Sequence, residues 1–307
     1  MPAMGLAILI GLLLVGLGLG LRAVLEPHCP EFSYVKINPN EENQEGLRVL
    51  FLSDYHYPLD LIPPERVLEY ALEQKVDLVV LGGDMFSDAE DLDRAVFLLN
   101  RLNSLLEDRG ILFLAIRGNH DVGLSQDVCD FPLLINQHYY VRDKSGRDWK
   151  FLGLDDIRLG KVDPLKAEKN RHPDSTLPVC ETHNTPSDRS VFLAHNPDTI
   201  LRLDSSMGKF CLSGHFHGGQ IKLLGLEYTL LRKEVLCRVG IVSGLNPVQG
   251  MYHYISRGFG NVLFPFRLGA RPELTLLELH PAVKTIDSSE QDQKIKVHVE
   301  KHGYLYP

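Results

Sequence analysis

Five short polar motifs, each placed directly after an apolar run, constrain this chain more than any other feature of its sequence. The runs have the length and β-branched content of buried strands. The motifs are Asp54-Tyr55-His56, Gly82-Gly83-Asp84, Gly118-Asn119-His120-Asp121, Ala194-His195-Asn196 and Gly214-His215-Phe216-His217. Because the carboxyl ends of strands in α/β sheets open into ligand-binding loops, this arrangement predicts that the motifs meet at one site.

The order of the apolar segments predicts an α/β fold with a mainly parallel sheet. Strand-like runs occur at 47–53, 77–84, 111–121, 149–156, 190–198 and 209–220. Helical spacing of apolar residues begins at Pro63-Pro64 and recurs over 89–107, between the first three strands. Alternation of strands and helices is typical of parallel sheets. A strand-rich stretch with many turns follows over 235–280, and residues 158–188 are polar and predict a loop or lid.

The chain begins with an uncharged apolar run, Ala3–Leu21, which is long enough to cross a bilayer as a helix. No basic residue precedes the run, which disfavours a cleaved signal peptide. The first charge, Arg22, predicts that the following domain lies on the cytoplasmic side of the inner membrane. The alternatives are cleavage of the run, which would place the domain outside the cytoplasm, and packing of the run on the protein's own surface.

The sequence therefore divides into four predicted parts. They are a membrane anchor over 1–25, a linker over 26–46, a main domain that carries all five motifs over 47–280, and a polar tail over 281–307.

Charge and side-chain chemistry indicate what the converging motifs bind. A net charge of −8 disfavours sequence-independent binding of nucleic acid, and an anionic substrate would need a local positive charge, which a metal ion supplies. The mixture of carboxylate, amide and imidazole suits divalent transition metals. Seven candidate ligands are enough for two cations that share one carboxylate. They are Asp54, His56, Asp84, Asn119, His195, His215 and His217.

In order and spacing, these motifs resemble the calcineurin-like metallophosphoesterase family over residues 47–280. The resemblance implies a four-layer α/β fold, in which a two-sheet β-sandwich is flanked by helices. It implies two divalent metal ions, with manganese favoured and iron or zinc as alternatives. One metal would be held by Asp54, His56, Asp84 and His217, and the other by Asp84, Asn119, His195 and His215. His120 would face the substrate phosphate, and Asp121 would hydrogen-bond to His120 and orient it.

Longer segments are similar to the membrane-anchored bacterial branch of this family, namely 195–198, 214–221 and 254–279. Some members of that branch are phosphodiesterases, and a related group hydrolyses UDP-2,3-diacylglucosamine in lipid A biosynthesis. The resemblance implies hydrolysis of a phosphodiester or pyrophosphate bond by a metal-bound hydroxide, with UDP-2,3-diacylglucosamine as the favoured substrate. The alternatives are a general phosphodiesterase or phosphatase for another membrane-derived or nucleotide substrate, and a non-catalytic scaffold that binds a protein partner.

The sequence is compatible with two different roles for each of four arginines. Each could contact a phosphate oxygen or form a structural salt bridge. They are Arg117, Arg257, Arg267 and Arg271.

Overall fold

The computed structural model of the chain describes residues 2–37, 46–59, 62–175, 186–223, 226–227, 233–262, 264–281 and 299–302. Within these residues the helices are α1 (Pro2–Leu25), α2 (Pro64–Glu73), α3 (Leu92–Glu107), α4 (Pro164–Lys169) and α5 (Val235–Arg238). The strands are β1 (Glu31–Ile37), β2 (Leu47–Leu52), β3 (Leu78–Leu81), β4 (Leu112–Ala115), β5 (Gln137–Arg142), β6 (Asp148–Gly153), β7 (Ser190–Leu193), β8 (Phe210–Ser213), β9 (Lys222–Leu223), β10 (Leu226–Glu227), β11 (Gly244–Val248), β12 (Met251–Ile255), β13 (Glu273–Leu279) and β14 (Val299–His302).

Two sheets place the strands that precede the motifs side by side. One has the order β14-β1-β13-β2-β3-β4, and in it β2, β3 and β4 are parallel neighbours. The other has the order β11-β12-β8-β7-β6-β5, and in it β7 and β8 are parallel neighbours. Parallel neighbours end at the same edge of a sheet. Three motifs therefore leave one edge of the first sheet, and two leave one edge of the second.

Alternation of side chains along the strands builds separate apolar layers, because successive residues of a strand point to opposite faces. On β2, Leu50 packs with helices α2 and α3, whereas Val49 and Phe51 face the second sheet and pack with Trp149 and Phe210. A third apolar cluster covers the outer face of the second sheet, where short helical segments lie. The order is helices, sheet, sheet, helices, which confirms the predicted four-layer fold.

Helix α1 confirms the predicted N-terminal apolar helix. Its 24 residues have a length of about 36 Å, which exceeds the apolar thickness of a typical bilayer. An apolar stretch of Met4–His28 meets the length and hydropathy of a membrane span and is not buried against the rest of the protein. A membrane anchor and a signal sequence share this form.

The linker predicted over 26–46 is wrong where the structure describes it. Residues Glu31–Ile37 form β1, which lies between β14 and β13 and is parallel to β13. Phe32, Val35 and Ile37 are buried, which stabilises the strand. Residues 38–45 lie outside the described residues.

Two other expectations change in part. The predicted polar tail contains β14, an antiparallel edge strand against β1, while 282–298 and 303–307 lie outside the described residues. The predicted loop over 158–188 contains α4, whose first turn is capped by Asp163, since its Oδ1 accepts a hydrogen bond from the Lys166 N–H at 2.9 Å. Residues 176–185 lie outside the described residues.

Candidate metal centre

Four of the five motifs supply two buried clusters of potential metal-binding side chains. Asp54, His56 and His217 make one cluster and Asp84, His195 and His215 the other, and in each the potential ligand atoms lie within 4.8 Å of one another. Oδ2 of Asp84 lies 3.0 Å from Nε2 of His195 and 3.6 Å from Nε2 of His56, so one carboxylate oxygen is adjacent to both clusters.

Hydrogen bonds between the motifs hold the two clusters together. The Asp54 N–H donates to the Gly83 carbonyl at 2.9 Å, and the His56 N–H donates to the Asp84 carbonyl at 3.0 Å. The His215 N–H donates to Oδ1 of Asp54 at 2.9 Å, which joins a loop of the second sheet to a loop of the first. The site is therefore assembled by backbone groups as well as by its side chains.

Five of the seven candidate ligands have left-handed backbone. The φ values are 57° for Asp54, 51° for His56, 54° for Asp84, 69° for His215 and 50° for His217. Residues other than glycine rarely adopt this conformation, which costs on the order of 1 kcal/mol or more at each position. The left-handed conformation turns neighbouring side chains of each short motif toward a common point, and the surrounding packing maintains this conformation.

Close backbone approach at the site requires glycine at position 118. A Cβ atom there would lie 2.2 Å from Oδ1 and 2.4 Å from the backbone nitrogen of Asp84. Real Cβ atoms do not approach oxygen or nitrogen this closely, so any side chain at Gly118 would displace Asp84.

We expect Gly118→Ala to lower metal affinity and kcat/KM by about 10- to 100-fold each, because displacement of Asp84 disturbs both clusters. Gly11→Ala in helix α1 is the matched control, since its Cβ would meet nothing within 4 Å. Metal titration and steady-state kinetics on both variants measure the effect. Wild-type metal affinity in Gly118→Ala would contradict the close approach.

Each of three histidines has one ring nitrogen occupied by a partner outside the clusters. Nδ1 of His195 lies 2.8 Å from the Gly82 carbonyl. Nε2 of His215 lies 3.3 Å from Oε1 of Glu234, and Nδ1 of His217 lies 3.3 Å from a guanidinium nitrogen of Arg267. Such partners fix the orientation of the ring and decide which nitrogen faces a metal. Sequence reasoning missed Glu234, which lies in no motif.

Burial and mutual charge shift the pKa values of the clustered groups. Burial raises the pKa of Asp84, but the adjacent His195 outweighs burial and holds the pKa below its ordinary value. Burial lowers the pKa of His195, but Asp84 outweighs it and raises the pKa to about 10. Burial lowers the pKa of His56 to about 3 and raises that of Asp54. Asp84 is therefore the carboxylate that keeps its negative charge most firmly.

Among the residues that the structure describes, three buried polar atoms around the clusters lack a hydrogen-bond partner. They are Nε2 of His56, Oδ1 of Asn119 and Nε2 of His195. The close approach of His195 to Asp84 does not have hydrogen-bond geometry. Buried polar atoms are nearly always satisfied, and an imidazole nitrogen or amide oxygen is a ligand that a divalent cation accepts. The residues therefore fit a pair of divalent cations.

His120 lies beside the clusters, and its ring is 5.0 Å from that of His56. Its backbone N–H donates to Oδ1 of Asp84 at 2.8 Å, and its Nδ1 lies 2.8 Å from the Ser87 carbonyl. In the neutral ring Nδ1 therefore carries the proton and Nε2 is the nitrogen left to face a ligand.

The prediction that Asp121 orients the His120 ring is wrong. Both carboxylate oxygens of Asp121 accept hydrogen bonds from backbone N–H groups, those of Asp84 at 2.9 Å, Met85 at 2.7 Å and Gly118 at 2.7 Å. Burial and the nearby charge of Asp84 raise the pKa of Asp121 to about 7. Asp121 thus organises the two loops that carry Asp84 and Asn119, while a backbone carbonyl orients His120.

Of the four arginines with two compatible roles, Arg117 and Arg257 form structural ion pairs. Nη2 of Arg117 lies 2.6 Å from Oδ1 of Asp155. Nη1 of Arg257 lies 2.6 Å from Glu31, and its Nε lies 3.1 Å from Glu273.

Arg267 is fully buried next to His217. Its guanidinium donates to the carbonyl oxygens of Arg257 and Ala270, each at 2.9 Å, and also to that of Gly260. Of the two roles left open by the sequence, these contacts favour the structural one, because they link a candidate metal-binding histidine to the loop before β13. Arg271 is partly exposed.

A family model described as calcineurin-like phosphoesterase matches residues 47–219. The chain is 29% identical over 278 residues to phosphodiesterase YaeI of Escherichia coli, across 85% of this chain and 93% of that protein. It is 27% identical over 248 residues to the uncharacterized metallophosphoesterase YkoQ of Bacillus subtilis, across 77% of this chain and 84% of that protein. The solved structure of TT1561 of Thermus thermophilus has a TM-score of 0.43 with 10% identity, across 70% of this chain and 90% of that one.

Proposed function

This chain belongs to the calcineurin-like phosphoesterase family, and from that premise we propose that it hydrolyses a phosphodiester or pyrophosphate bond in a lipid-linked substrate. The favoured substrate is UDP-2,3-diacylglucosamine, an intermediate of lipid A biosynthesis. The general activity, without regard to the substrate, is that of a metallophosphoesterase with a dinuclear metal site formed by two His/Asp clusters.

The proposed ligands follow the two clusters. Asp54, His56, Asp84 and His217 would hold one cation, and Asp84, Asn119, His195 and His215 the other. The position of Asp84 Oδ2 beside both His56 and His195 supports the shared carboxylate, and the unpartnered Oδ1 of Asn119 supports an additional ligand. Bound there, divalent cations lower the pKa of water and offset the charge of a phosphoryl group. Manganese is the favoured metal, with iron or zinc as alternatives.

His120 has the proposed catalytic role. Its ring is fixed by the Ser87 carbonyl, and Nε2 would face the phosphoryl group, where it would stabilise negative charge or protonate the leaving oxygen. Asp121 is a positioning residue in this proposal, because its carboxylate holds backbone N–H groups of the Asp84 and Gly118 loops.

The exposed apolar helix α1 supports a lipid-linked substrate. A backbone hydrogen bond joins its C-terminal end to Arg267, whose guanidinium contacts His217. A bilayer that held α1 would therefore lie near the metal site. Arg22 at the end of the apolar run supports a position of the catalytic domain on the cytoplasmic face of the inner membrane.

A substrate panel tests the proposal with the full chain in detergent micelles containing Mn²⁺. The panel comprises UDP-2,3-diacylglucosamine, bis-p-nitrophenyl phosphate and p-nitrophenyl phosphate, with product identification by mass spectrometry. We expect the lipid-linked pyrophosphate to have a kcat/KM at least about 100-fold above that of the water-soluble diester, because binding of the acyl chains contributes to specificity.

Two results would contradict parts of the proposal. Equal kcat/KM for the lipid-linked and water-soluble substrates would remove the lipid-linked substrate but keep phosphodiester hydrolysis. Cleavage of the monoester alone would remove the diester and pyrophosphate preference. Metal analysis of the same preparation distinguishes either result from a scaffold, which would bind no transition metal.

A further inference from the structure

The C-terminal end of helix α1 is fixed to the loop that precedes β13. The Arg267 N–H donates to the Ala23 carbonyl at 3.0 Å, and the Gly269 N–H donates to Oε2 of Glu26 at 2.6 Å. Glu26 is only 3% exposed, and its other carboxylate oxygen lies 2.6 Å from Nε of Arg22. Because two hydrogen bonds cross this junction, the helix leaves the domain in a defined direction.

Two aromatic side chains face outward beside this junction. Phe264 is 61% exposed and Phe266 40% exposed, and their rings are stacked with centroids 6.5 Å apart. Val24 and Leu25, at the end of α1, are also apolar and about half exposed. Exposure of this much apolar surface to water is unfavourable, and its place next to an apolar helix indicates a shared environment.

The loop that carries the two phenylalanines is held in shape by Gln220, which follows the motif Gly214-His215-Phe216-His217. Nε2 of Gln220 lies 2.9 Å from the Val262 carbonyl, 3.2 Å from that of Phe264 and 3.1 Å from that of Phe266. Gln220 follows His217 by three residues and is almost fully buried. The loop of Phe264 and Phe266 is therefore hydrogen-bonded directly to the segment that carries the candidate metal ligand His217. A contact made by these two phenylalanines would act on that segment.

We infer that Phe264 and Phe266 insert into the interfacial region of the same bilayer that holds helix α1. Aromatic side chains favour the boundary between headgroups and acyl chains, and the Ala23–Arg267 hydrogen bond places this loop where the apolar helix ends. The domain then has a second membrane contact besides its helix, which fixes the tilt of the domain relative to the lipid surface. This inference rests on helix α1 lying in a bilayer and is independent of the reaction at the metal site.

Tryptophan fluorescence in proteoliposomes tests the inference with the full chain. Phe264→Trp and Phe266→Trp are prepared separately, with Phe97→Trp on helix α3 as the matched control, because Phe97 is an aromatic residue that is 67% exposed. The vesicles contain phosphatidylcholine with or without bromine on the acyl carbons nearest the headgroup. The parent protein, whose single tryptophan Trp149 is fully buried, provides the background.

We expect brominated lipid to reduce the added emission of both loop variants by roughly half, with a shift to shorter wavelength, and to leave Phe97→Trp unchanged. Unquenched emission at both loop positions in vesicle-bound protein would overturn the inference, and a blue shift without quenching would show that protein covers the loop instead. Equal quenching of Phe97→Trp would show unspecific adsorption and also overturn it. Recovery of the protein outside the vesicles would remove the anchor on which the inference rests. None of these outcomes depends on hydrolysis, so they are separate from a failure of the proposed activity.

Discussion

Asp84→Asn is expected to lower kcat/KM for phosphoester hydrolysis by more than about 1000-fold and to reduce the bound metal. Oδ2 of Asp84 lies beside histidines of both clusters, at 3.0 Å from His195 and 3.6 Å from His56. An amide has nearly the same shape as the carboxylate but lacks its negative charge, so it binds cations much less strongly. Hydrolysis kinetics together with metal analysis by mass spectrometry measure both effects.

Asp143→Asn is the matched control for this loss. Asp143 is also a buried aspartate, but its carboxylate pairs with Arg147 and accepts a hydrogen bond from the Trp149 indole, away from the motifs. This variant should lose stability in thermal unfolding and keep its metals and its kcat at low temperature. If Asp84→Asn retained full activity with two bound metals, the shared-carboxylate assignment would be wrong.

His120→Ala is expected to lower kcat by about 100- to 10 000-fold while the bound metal stays unchanged, as is typical for loss of a general acid. The hydrogen bond from position 120 to Asp84 comes from the backbone N–H, so alanine preserves it. Substrates with different leaving groups separate the two roles open to His120. A larger loss with an alkyl than with a nitrophenyl leaving group indicates proton donation, and an equal loss indicates stabilisation of charge.

His172→Ala provides the comparison for His120→Ala. His172 is buried and its Nε2 lies 2.9 Å from Oε1 of Gln126, outside the five motifs. We expect this variant to lower stability without a change in kcat. Loss of metal from His120→Ala in parallel with activity would instead make His120 a ligand, against the role proposed for it.

The strands that precede the motifs and the chemistry at their ends could be predicted from the sequence because both are local. Strand β3 is a continuous apolar run that is followed by Gly82-Gly83-Asp84. The apolar side chains, the glycine turn and the candidate metal ligand Asp84 lie within eight residues. The α/β class with a mainly parallel sheet followed from the alternation of such strands with amphipathic helices, whereas the four-layer arrangement was implied by the resemblance to the calcineurin-like family.

The features that sequence reasoning missed depend on contacts between distant parts of the chain. Strand β1 is stable because it pairs with β13, and its own surroundings of acids and prolines indicate a linker. The spacing of Asp121 next to His120 does not show whether the carboxylate reaches a ring or a backbone N–H. Glu234 contacts His215 only through the tertiary fold, and a single glutamate outside any motif has no sequence signal.

The position of β13 between β1 and β2 sets the order in which the molecule can be assembled during synthesis. Helix α1 and the loops of Asp54, Asp84 and Asn119 leave the ribosome early, but the sheet below them stays divided until Glu273–Leu279 has been translated. A nascent chain stopped before that point would lack β13, the strand that joins β1 to the group β2, β3 and β4. We therefore expect the chain to acquire its metals only after Glu273–Leu279 has been translated, which is later than the synthesis of α1 and of the first three motifs.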